Sequence, residues 1–264
     1  EDMPLDTLIA LFRDQPMDFA PGEKWAYDNS GYVLLGAVIE KASGQAYADF
    51  VRNRIFAPLG MTSSSYDTTE SVVPRRVPGY QKADGGWTHA PYLSMTQPHA
   101  AGSLMSTVDD LAKWDAALYT EKLVKQASLR RAWTPATLAD GKSTGYGYGW
   151  TMSAVQGHPS VEHGGGINGF VCYVLRLPED RVYVAVLTNR AADAPVPDRL
   201  AVQLAAIAVG QPYEEPRPVA LTAAQLDALT GVYRIGEKEQ RVITREGTRL
   251  FSQRSGGAKR EILA

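Results

Sequence analysis

The sequence predicts an α+β fold in which an antiparallel sheet is flanked by helices. Apolar residues recur at helical spacing over residues 33–42 and 46–56. Two apolar runs, residues 170–177 and 181–187, are joined by a Pro-Glu-Asp turn, which predicts a hairpin of buried strands. A further helix over residues 197–209 would cover one face of that sheet. These patterns together predict a sheet with helical layers around it.

The covering helix is predicted from three apolar residues that share one helical face. Leu200, Leu204 and Ile207 form this stripe, Pro197 stands in the first turn, and Gly210 ends the helix. We therefore expect the stripe to pack on the sheet.

The remaining elements of the first 210 residues are less regular. A short helix is predicted at residues 6–12, and Ser106-Thr107-Val108-Asp109 has the form of a capping box that begins a helix reaching about Tyr119. Residues 62–104 lack clear periodicity, which predicts long irregular connections around a cleft. The Gly-Tyr-Gly-Tyr-Gly-Trp run at residues 145–150 opens a β-rich region.

The last part of the chain reads as a separate unit. Three prolines in residues 211–219 favour a linker, and a short helix at residues 222–229 precedes four predicted strands, at 232–235, 240–245, 249–253 and 259–263. We expect a main domain over 1–210, a linker over 211–221 and the start of a small β-rich appended domain over 222–264.

Composition excludes several classes of protein. The chain has 264 residues, 44% hydrophobic and 21% charged, with a net charge of −2, which gives no reason to expect a nucleic-acid partner. No apolar run reaches the roughly 18 residues of a membrane span. One cysteine, Cys172, excludes an internal disulfide framework, and none of His89, His99 and His158 lies on a predicted helix with a carboxylate one turn away. We expect neither a metal nor a cofactor.

Both ends of the chain have the pattern of a cut polypeptide. The sequence starts Glu1-Asp2-Met3-Pro4 and enters a helical pattern almost at once, without a signal peptide. At the other end, residues 259–264 stop inside a predicted strand. Information on targeting is therefore expected to lie outside these residues.

A Tyr-x-Asn pair, Tyr27 and Asn29, stands directly before the predicted helix at residues 33–42. In an extended segment, residues two apart point to the same side, so a phenol and a carboxamide would face one cleft. The alternative is that Asn29 or Ser30 caps the helix while Tyr27 packs. Taken alone, these residues favour the alternative.

A glycine-rich run, His163-Gly164-Gly165-Gly166-Ile167-Asn168-Gly169-Phe170, is the second candidate. It contains Gly-x-Gly-x-x-Gly, but a strand follows it and a dinucleotide site needs a helix there. A lipase-like oxyanion loop needs Gly-x-Ser-x-Gly downstream, and the only match, residues 141–145, lies upstream. What remains is a polar residue entering a strand whose glycines let a ligand approach, or a glycine bulge with a surface histidine.

Taken together, these segments resemble the serine β-lactamase and penicillin-binding-protein superfamily, in particular its class C-like esterase and D-amino-acid peptidase branch. Residues 21–29 resemble the Pro-Gly-x-x-x-x-Tyr-Ser-Asn segment, and residues 58–61 are Pro-Leu-Gly-Met. Residues 101–111 resemble Ala-Gly-Gly-Leu-x-Ser with its Asp-Leu helix entry, and residues 163–165 stand where members carry Lys-Thr-Gly or His-x-Gly. The ordered match over residues 1–210 makes Tyr27 and Asn29 active-site candidates.

The resemblance implies acyl transfer through a covalent acyl-serine, without a cofactor. Tyr27 would share the proton chemistry with the Lys of a Ser-x-x-Lys motif, and Asn29 would hold that Lys or the substrate amide. The N–H of Gly166 would be one oxyanion donor. His163 would lie beside the leaving group or a substrate carboxylate.

The resemblance also implies a substrate-binding set, Gly164, Gly165 and Asn168. An imidazole has an unperturbed pKa of about 6.5, so His163 would be mostly uncharged at neutral pH, whereas a Lys is a permanent cation. Short esters are therefore the favoured substrates, ahead of D-amino-acid peptides and β-lactams. Export to the periplasm or the cell surface is the location that the resemblance favours.

The chain departs from the family pattern in one large respect. It contains no Ser-x-x-Lys, and its nearest match, Ser128-Leu129-Arg130-Arg131, carries an arginine that stays protonated. The resemblance therefore implies that the nucleophile, a first helix and two sheet strands are missing and that the chain alone is inactive. Either that missing segment or a second copy of the chain is expected to cover the exposed sheet edge. The alternatives are an inactive penicillin-binding-protein-like module that binds peptidoglycan or a related ligand, and a remnant with a structural role.

Overall fold

The computed structural model of the chain describes residues 1–68, 70–191, 196–214, 218–235 and 239–262. These residues divide into two compact units, Glu1–Tyr213 and Glu214–Ala264. The division falls inside the predicted linker 211–221, of which residues 215–217 lie outside the described ranges. The exact limits proposed for the domains remain predictions.

The first unit combines seven helices with eight strands among its described residues. The helices are α1 (Leu5–Ala10), α2 (Asn29–Ser43), α3 (Tyr47–Val51), α4 (Ala57–Leu59), α5 (Val108–Ala117), α6 (Gln126–Ala132) and α7 (Val196–Ala208), with a π-helical turn at Arg52–Phe56. The strands are β1 (Ser65–Tyr66), β2 (Tyr80–Ala83), β3 (Gly86–His89), β4 (Leu104–Met105), β5 (Thr151–Val155), β6 (His158–Ile167), β7 (Phe170–Leu177) and β8 (Val182–Thr188). The predicted α+β class is confirmed.

The main sheet has the order β5-β6-β7-β8, with every neighbouring pair antiparallel. Its core lies between the sheet and α7, and consists of Val155, Leu175, Leu177 and Val186 together with Ala201, Ala205 and Ala206. The small alanine side chains let the helix axis approach the sheet closely. The predicted hairpin and its covering helix are therefore present.

The face that α7 turns to the sheet differs from the prediction. Leu200, Leu204 and Ile207 are 40%, 42% and 61% exposed, whereas Ala201 and Ala205 are fully buried. The prediction that the stripe packs on the sheet is wrong, because the small side chains of the helix pack there instead. The large apolar residues form its outer face.

The opposite face of the sheet carries a buried ion pair. Arg176 of β7 is 1% exposed, and its Nε lies 2.8 Å from Oδ1 of Asp115 on α5. The N–H is poorly aligned with the carboxylate oxygen, so the contact is an ion pair and not a directed hydrogen bond. The guanidinium also lies over the rings of Tyr119 and Trp133, at 4.6 and 4.8 Å. This cluster joins α5 to the sheet.

A second apolar cluster, Tyr47, Val51, Phe56 and Met61, fills the helical part of the unit. Helix α2 crosses the short 3₁₀ turn His99–Ala101 at Gly36, where a β-carbon would lie only 2.5 Å from that of Ala100. Glycine is thus required for this close crossing, which fixes the position of α2.

Two local predictions are corrected. The N-cap of α5 is Thr107, whose hydroxyl accepts from the Asp110 N–H at 3.3 Å, so the capping position lies one residue after Ser106. Residues 62–104 are not wholly irregular, because β2 and β3 form an antiparallel hairpin within them. These strands have four residues each and little apolar character, which is why periodicity does not reveal them.

The hairpin β2–β3 is attached to the far end of the main sheet. The Tyr80 N–H donates to the Asn189 carbonyl at 3.0 Å, and the Ala191 N–H donates to the Tyr80 carbonyl at 2.7 Å. Gly79 lies against Gly169, where a β-carbon on either residue would come within 3.0 Å of the other's main chain. The turn that follows β6 is therefore held firmly.

The second unit contains α8 (Ala223–Ala228) and a four-stranded sheet. Its strands, in the order β12-β11-β10-β9, are β9 (Gly231–Arg234), β10 (Gln240–Glu246), β11 (Arg249–Arg254) and β12 (Arg260–Ile262). A capping box between Thr222 and Gln225 begins α8. The predicted meander is present, although residue 263 of its last strand lies outside the described ranges.

Within the ranges that the structure describes, no helix combines the length and the apolar character that crossing a membrane requires. The same residues contain no cluster of three or more His, Cys, Asp or Glu side chains able to hold a metal ion.

Candidate active site

The Tyr-x-Asn segment is placed by the start of α2. Asp28 is the N-cap: its carboxylate accepts from the N–H groups of Ser30 at 2.8 Å and Gly31 at 3.0 Å. The alternative in which Asn29 or Ser30 caps the helix is therefore wrong. Because the cap lies between them, Tyr27 is left outside the helix and Asn29 is its first residue.

The glycine run lies on an exposed edge of the sheet. Strand β5 pairs with β6 only as far as Glu162, opposite Thr151, whereas β7 pairs with β6 through Ile167. Residues 163–167 therefore have β7 on one side and no described strand on the other. Main-chain groups on such an edge are available to a ligand.

The three glycines have different surroundings. A β-carbon at Gly164 would lie 3.0 Å from the Tyr173 ring, and one at Gly165 would lie 2.8 Å from Sγ of Cys172. A β-carbon at Gly166 would meet nothing within 4 Å. Packing explains the first two glycines, whereas open space above Gly166 leaves room for a bound molecule.

Three rings meet beside this edge. Tyr27 and His163 have ring centroids 6.0 Å apart, Tyr27 and Tyr146 lie 6.1 Å apart edge to face, and Tyr146 and His163 lie 5.9 Å apart. Trp25 packs on the outer side of Tyr146 at 5.3 Å. The structure thus brings Tyr27 and His163 together, although 135 residues of chain separate them in the sequence.

The hydroxyl groups of these rings differ in their partners. Tyr146 Oη lies 2.8 Å from Nε2 of His163, whose Nδ1 lies 2.5 Å from the Gly164 carbonyl oxygen. Tyr27 is 54% exposed, and its hydroxyl bonds to none of the described residues. Burial, followed by the neighbouring Tyr32 and Tyr27, raises the pKa of Tyr146. Tyr146 is therefore a neutral donor, and Tyr27 keeps its hydroxyl for a ligand.

The main chain around Tyr146 is fixed by its own hydrogen bonds. The Tyr146 N–H donates to Oγ1 of Thr144 at 3.1 Å, and its carbonyl accepts from the Ala136 N–H at 2.9 Å. A β-carbon at Gly147 would collide with the carbonyl oxygen of Ala132. Gly147 therefore lets this segment lie against the end of α6.

A cleft of about 400 Å³ opens next to the three rings. Its walls come from the segment before α2, from the first turns of α2 and from the Gly-Tyr-Gly run: Trp25, Ala26, Tyr27, Asp28, Gly31, Tyr32, Leu35, Tyr146 and Gly147. Tyr27 and Tyr146, which line it, are the same residues that contact His163. The cleft is large enough for a small organic substrate.

The other candidate residues lie outside this cleft lining. Asn29 is exposed, and no described residue hydrogen-bonds to its side chain. Asn168 donates through Nδ2 to the Pro91 carbonyl at 3.0 Å, so its amide nitrogen holds the loop after β3. The roles in ligand binding proposed for Asn29 and Asn168 remain predictions. Sequence reasoning missed Tyr146, Tyr32 and Trp25, whose only signal was the aromatic character of their segments.

An antiparallel sheet in which the glycine-rich end of one strand has a free edge, facing a Tyr-x-Asn segment at the start of a helix, is the architecture of the penicillin-recognising serine hydrolases. The chain belongs to the Beta-lactamase family, whose profile matches residues 1–208. This match confirms the resemblance that the motifs indicated.

Similar proteins include penicillin-binding proteins and D-aminopeptidases. Penicillin-binding protein 4* of Bacillus subtilis (strain 168) is 30% identical over 269 residues, with 92% of this chain and 58% of that protein covered. A D-aminopeptidase of Gluconobacter oxydans (strain 621H) is 26% identical, with 82% of this chain and 41% of that protein covered. The chain thus spans about half the length of these curated relatives.

The fold has solved counterparts. The octameric penicillin-binding protein homologue from Pyrococcus abyssi superimposes with a TM-score of 0.72 at 27% identity, covering 98% of this chain and 60% of that one. The match extends over nearly the whole chain, so the sheet and its helical layers are those of the family.

Proposed function

We propose that this chain is part of a serine hydrolase that transfers the acyl group of small esters and D-amino-acid amides or peptides to a serine and then to water. The observation that carries the proposal is the meeting of Tyr27 and His163, 6.0 Å apart, beside the free glycine edge of β6. The similarity to a D-aminopeptidase supports the D-amino-acid substrates. A histidine, which is not a permanent cation, in place of a lysine favours esters over β-lactams.

Each candidate residue has a role that its surroundings support. The unpartnered hydroxyl of Tyr27 is free to exchange a proton with the nucleophile or the leaving group. The N–H of Gly166, under open space on the strand edge, would bind the oxyanion, and one such donor is typically worth about 100- to 1000-fold in rate. Asn29, with a free carboxamide, would bind the substrate amide.

The nucleophile is the part of the proposal that residues 1–264 do not supply. They contain no Ser-x-x-Lys, and Arg131 stands in the lysine place of the nearest match. We propose that the serine and its lysine belong to polypeptide outside this range and approach Tyr27 from the cleft. Tyr27 lines this cleft, and its hydroxyl has no hydrogen-bond partner among the described residues.

The test is covalent labelling. Joining a family Ser-x-x-Lys segment to this chain, or using the parent protein, should give a fluorophosphonate adduct on that serine, while residues 1–264 alone should give no adduct and no burst. Mass spectrometry of the labelled peptide locates the adduct. Labelling of any serine between Ser30 and Ser255 in the isolated chain would refute the assignment of the nucleophile.

Substrate preference is measured on the same protein. Turnover of an aryl acetate and of a D-amino-acid amide should exceed that of a chromogenic cephalosporin, compared as kcat/KM. A higher value for the cephalosporin would contradict the proposed preference. Tight binding of a D-amino-acid peptide with no labelling and no turnover would instead favour the inactive binding module.

A further inference from the structure

The cleft beside the candidate site contains one charged side chain in a mainly aromatic lining. Among the lining residues that the structure describes, only Asp28 carries a charge, and it is a negative one. His163 contacts the rings of Tyr27 and Tyr146 but does not belong to this lining. The described walls of the cleft therefore combine a carboxylate with aromatic rings and contain no cation.

The Asp28 carboxylate keeps part of its capacity to accept hydrogen bonds. Its Oδ1 accepts from the Ser30 N–H at 2.8 Å and its Oδ2 from the Gly31 N–H at 3.0 Å. Because each carboxylate oxygen has two acceptor sites, one site remains on each oxygen. The two bonds also fix the orientation of the side chain, so a ligand would meet an ordered group.

The charge of Asp28 outweighs that of the helix end to which it is bound. The N-terminus of a helix is equivalent to roughly half a positive charge, whereas the carboxylate carries a full negative one. The cap of α2 is therefore negative overall. A serine, which stands at this place in the family motif, would cap the helix about as well. Capping alone thus leaves the negative charge unexplained.

The aromatic walls suit a cation. The rings of Tyr27 and Tyr146 stand at 87° to each other with centroids 6.1 Å apart, and Trp25 packs on Tyr146 at 5.3 Å. Trp25 is 46% and Tyr27 54% exposed, so much of their ring surface is open to a ligand. The faces of aromatic rings attract cations, and cages of such rings bind organic ammonium groups. Rings at a right angle supply two walls of a cage of this kind.

We propose that this cleft binds a small organic ammonium group, held by the Asp28 carboxylate and by the rings of Trp25, Tyr27 and Tyr146. If the proposed function holds, on which this second part rests, the ammonium is the free amino group of the substrate. D-amino-acid amides and short peptides with an unblocked amino group are then cleaved in preference to their N-acylated forms.

The cation site is tested with choline and 3,3-dimethylbutan-1-ol, which have the same shape and differ in charge. Each is titrated into the ¹⁵N-labelled chain, and the amide signals of the lining residues Gly31 and Gly147 are followed. Choline should bind about 10-fold more tightly, the combined effect of an exposed ion pair and of cation–π contact. Equal affinities, or shifts that spare both amides, would overturn the proposal.

Asp28→Asn removes the charge and keeps a good capping residue, so the helix should still form. The affinity for choline should fall by about 5-fold, and that for the alcohol should stay the same. Glu23→Gln is the matched control, because Glu23 pairs with Lys24 at 3.4 Å and lies outside the cleft lining. Trp25→Leu should weaken the binding of choline more than that of the alcohol. An unchanged affinity for choline in Asp28→Asn would refute the role of the carboxylate.

The lysine of a Ser-x-x-Lys segment is a second source of an ammonium group for this cleft. Titration of the parent protein with choline separates the two sources. Binding as tight as in the isolated chain would support a site for a ligand. Loss of binding in the parent protein would show that its own polypeptide fills the cleft, and would overturn the assignment of the site to a substrate.

The substrate preference is tested by kinetics on the parent protein. A D-amino-acid amide should have a kcat/KM about 10-fold above that of its N-acetyl derivative, and Asp28→Asn should lower this preference by about 5-fold through KM. Equal cleavage of the two amides by the unaltered protein would refute this part. If neither amide is cleaved, the proposed function fails, while the choline titrations still decide the cation site.

Discussion

Gly165 of β6 lies opposite Cys172 of β7, and a β-carbon on Gly165 would stand 2.8 Å from the Cys172 sulfur. Its neighbour Gly166 has the same strand conformation and nothing within 4 Å of the same position. Adjacent glycines of one motif are therefore required for different reasons. Gly165 is required for packing within the protein, whereas Gly166 leaves space for a bound molecule.

Alanine substitution separates these two reasons. Gly165→Ala should lower the free energy of unfolding by about 1–3 kcal/mol, because the methyl group overpacks against a fixed strand. Gly166→Ala should change it by less than about 0.5 kcal/mol, yet lower turnover in the parent protein by obstructing the oxyanion position. Chemical denaturation and kinetics on both variants check this. Equal effects on stability would show that Gly166 is also a packing glycine.

Tyr27→Phe removes one hydroxyl that has no partner among the described residues. In a protein that carries Ser-x-x-Lys, turnover should fall by about 100-fold or more, the usual cost of losing an acid–base group. The melting temperature should hardly change, since the exposed hydroxyl contributes no hydrogen bond. Turnover close to that of the unaltered protein would return Tyr27 to a packing role.

Asp110 should make the stability of the first unit dependent on pH. Burial alone would raise its pKa, but hydrogen bonds from Lys113 at 2.7 Å, from the Ser64 hydroxyl at 2.8 Å and from the Ser63 N–H at 2.7 Å together hold the pKa below its usual value. A depressed pKa in the folded state stabilises the protein above the unfolded value of about 3.9. That contribution is lost as the pH falls through the folded pKa.

Asp110→Asn should therefore cost about 2 kcal/mol at pH 7, the worth of hydrogen bonds to a buried charge, and progressively less below about pH 4. Asp109→Asn is the control, because Asp109 occupies the same helical turn and is exposed. Denaturation curves of both variants between pH 3 and pH 7 give the measurement. A difference between Asp110→Asn and the unaltered chain that stays constant over this range would contradict the assignment.

The outer face of α7 should make the isolated chain associate. Leu200, Leu204 and Ile207 present a row of exposed apolar side chains, which is unusual for a surface that stands alone in water. We expect polypeptide outside residues 1–264 to cover this face in the parent protein. Sedimentation velocity should show concentration-dependent association of the chain, reduced in Leu204→Gln. If the chain stays monomeric at every concentration, there is no reason to expect that further polypeptide covers the outer face of α7.

Association that persists with the parent polypeptide present would instead indicate contact between copies of the whole protein. One structural relative is octameric, so this outcome has a precedent in the family. The matched substitution Gln203→Ala, on the same helix outside the stripe, controls for loss of helix stability.

Periodicity predicted strands well where their side chains are mostly covered by the rest of the chain. The hairpin β7–β8 follows apolar runs, and its bounds match the prediction within one residue. Strands β2 and β3 escaped because their side chains are partly or fully exposed, so no apolar pattern marks them. The buried face of α7 was predicted wrongly because a stripe of large apolar residues indicates burial only when the helix has no face of small residues that can pack more closely on the sheet.

The candidate site was predicted only in part, for a related reason. Tyr27 and His163 were found through motifs, and the structure shows that their rings meet. The hydrogen bond from Tyr146 to His163 joins residues 17 positions apart across a turn, and nothing in spacing or composition signals such a pair. The alternative that placed the cap at Asn29 or Ser30 was wrong because Asp28, Asn29 and Ser30 are all good capping residues and only the backbone decides among them.

The position of Asp28 limits which side chains can take its place in the motif. A side chain there must accept hydrogen bonds from two main-chain N–H groups, a task for which serine, the residue in the family motif, and aspartate are interchangeable. If positions 27–29 were randomised, the functional variants would thus be enriched in short acceptor side chains at position 28, whatever substrate was used for selection. The pattern Tyr-(Ser/Thr/Asp/Asn)-Asn would then reflect the requirements of the helix N-cap as much as those of catalysis.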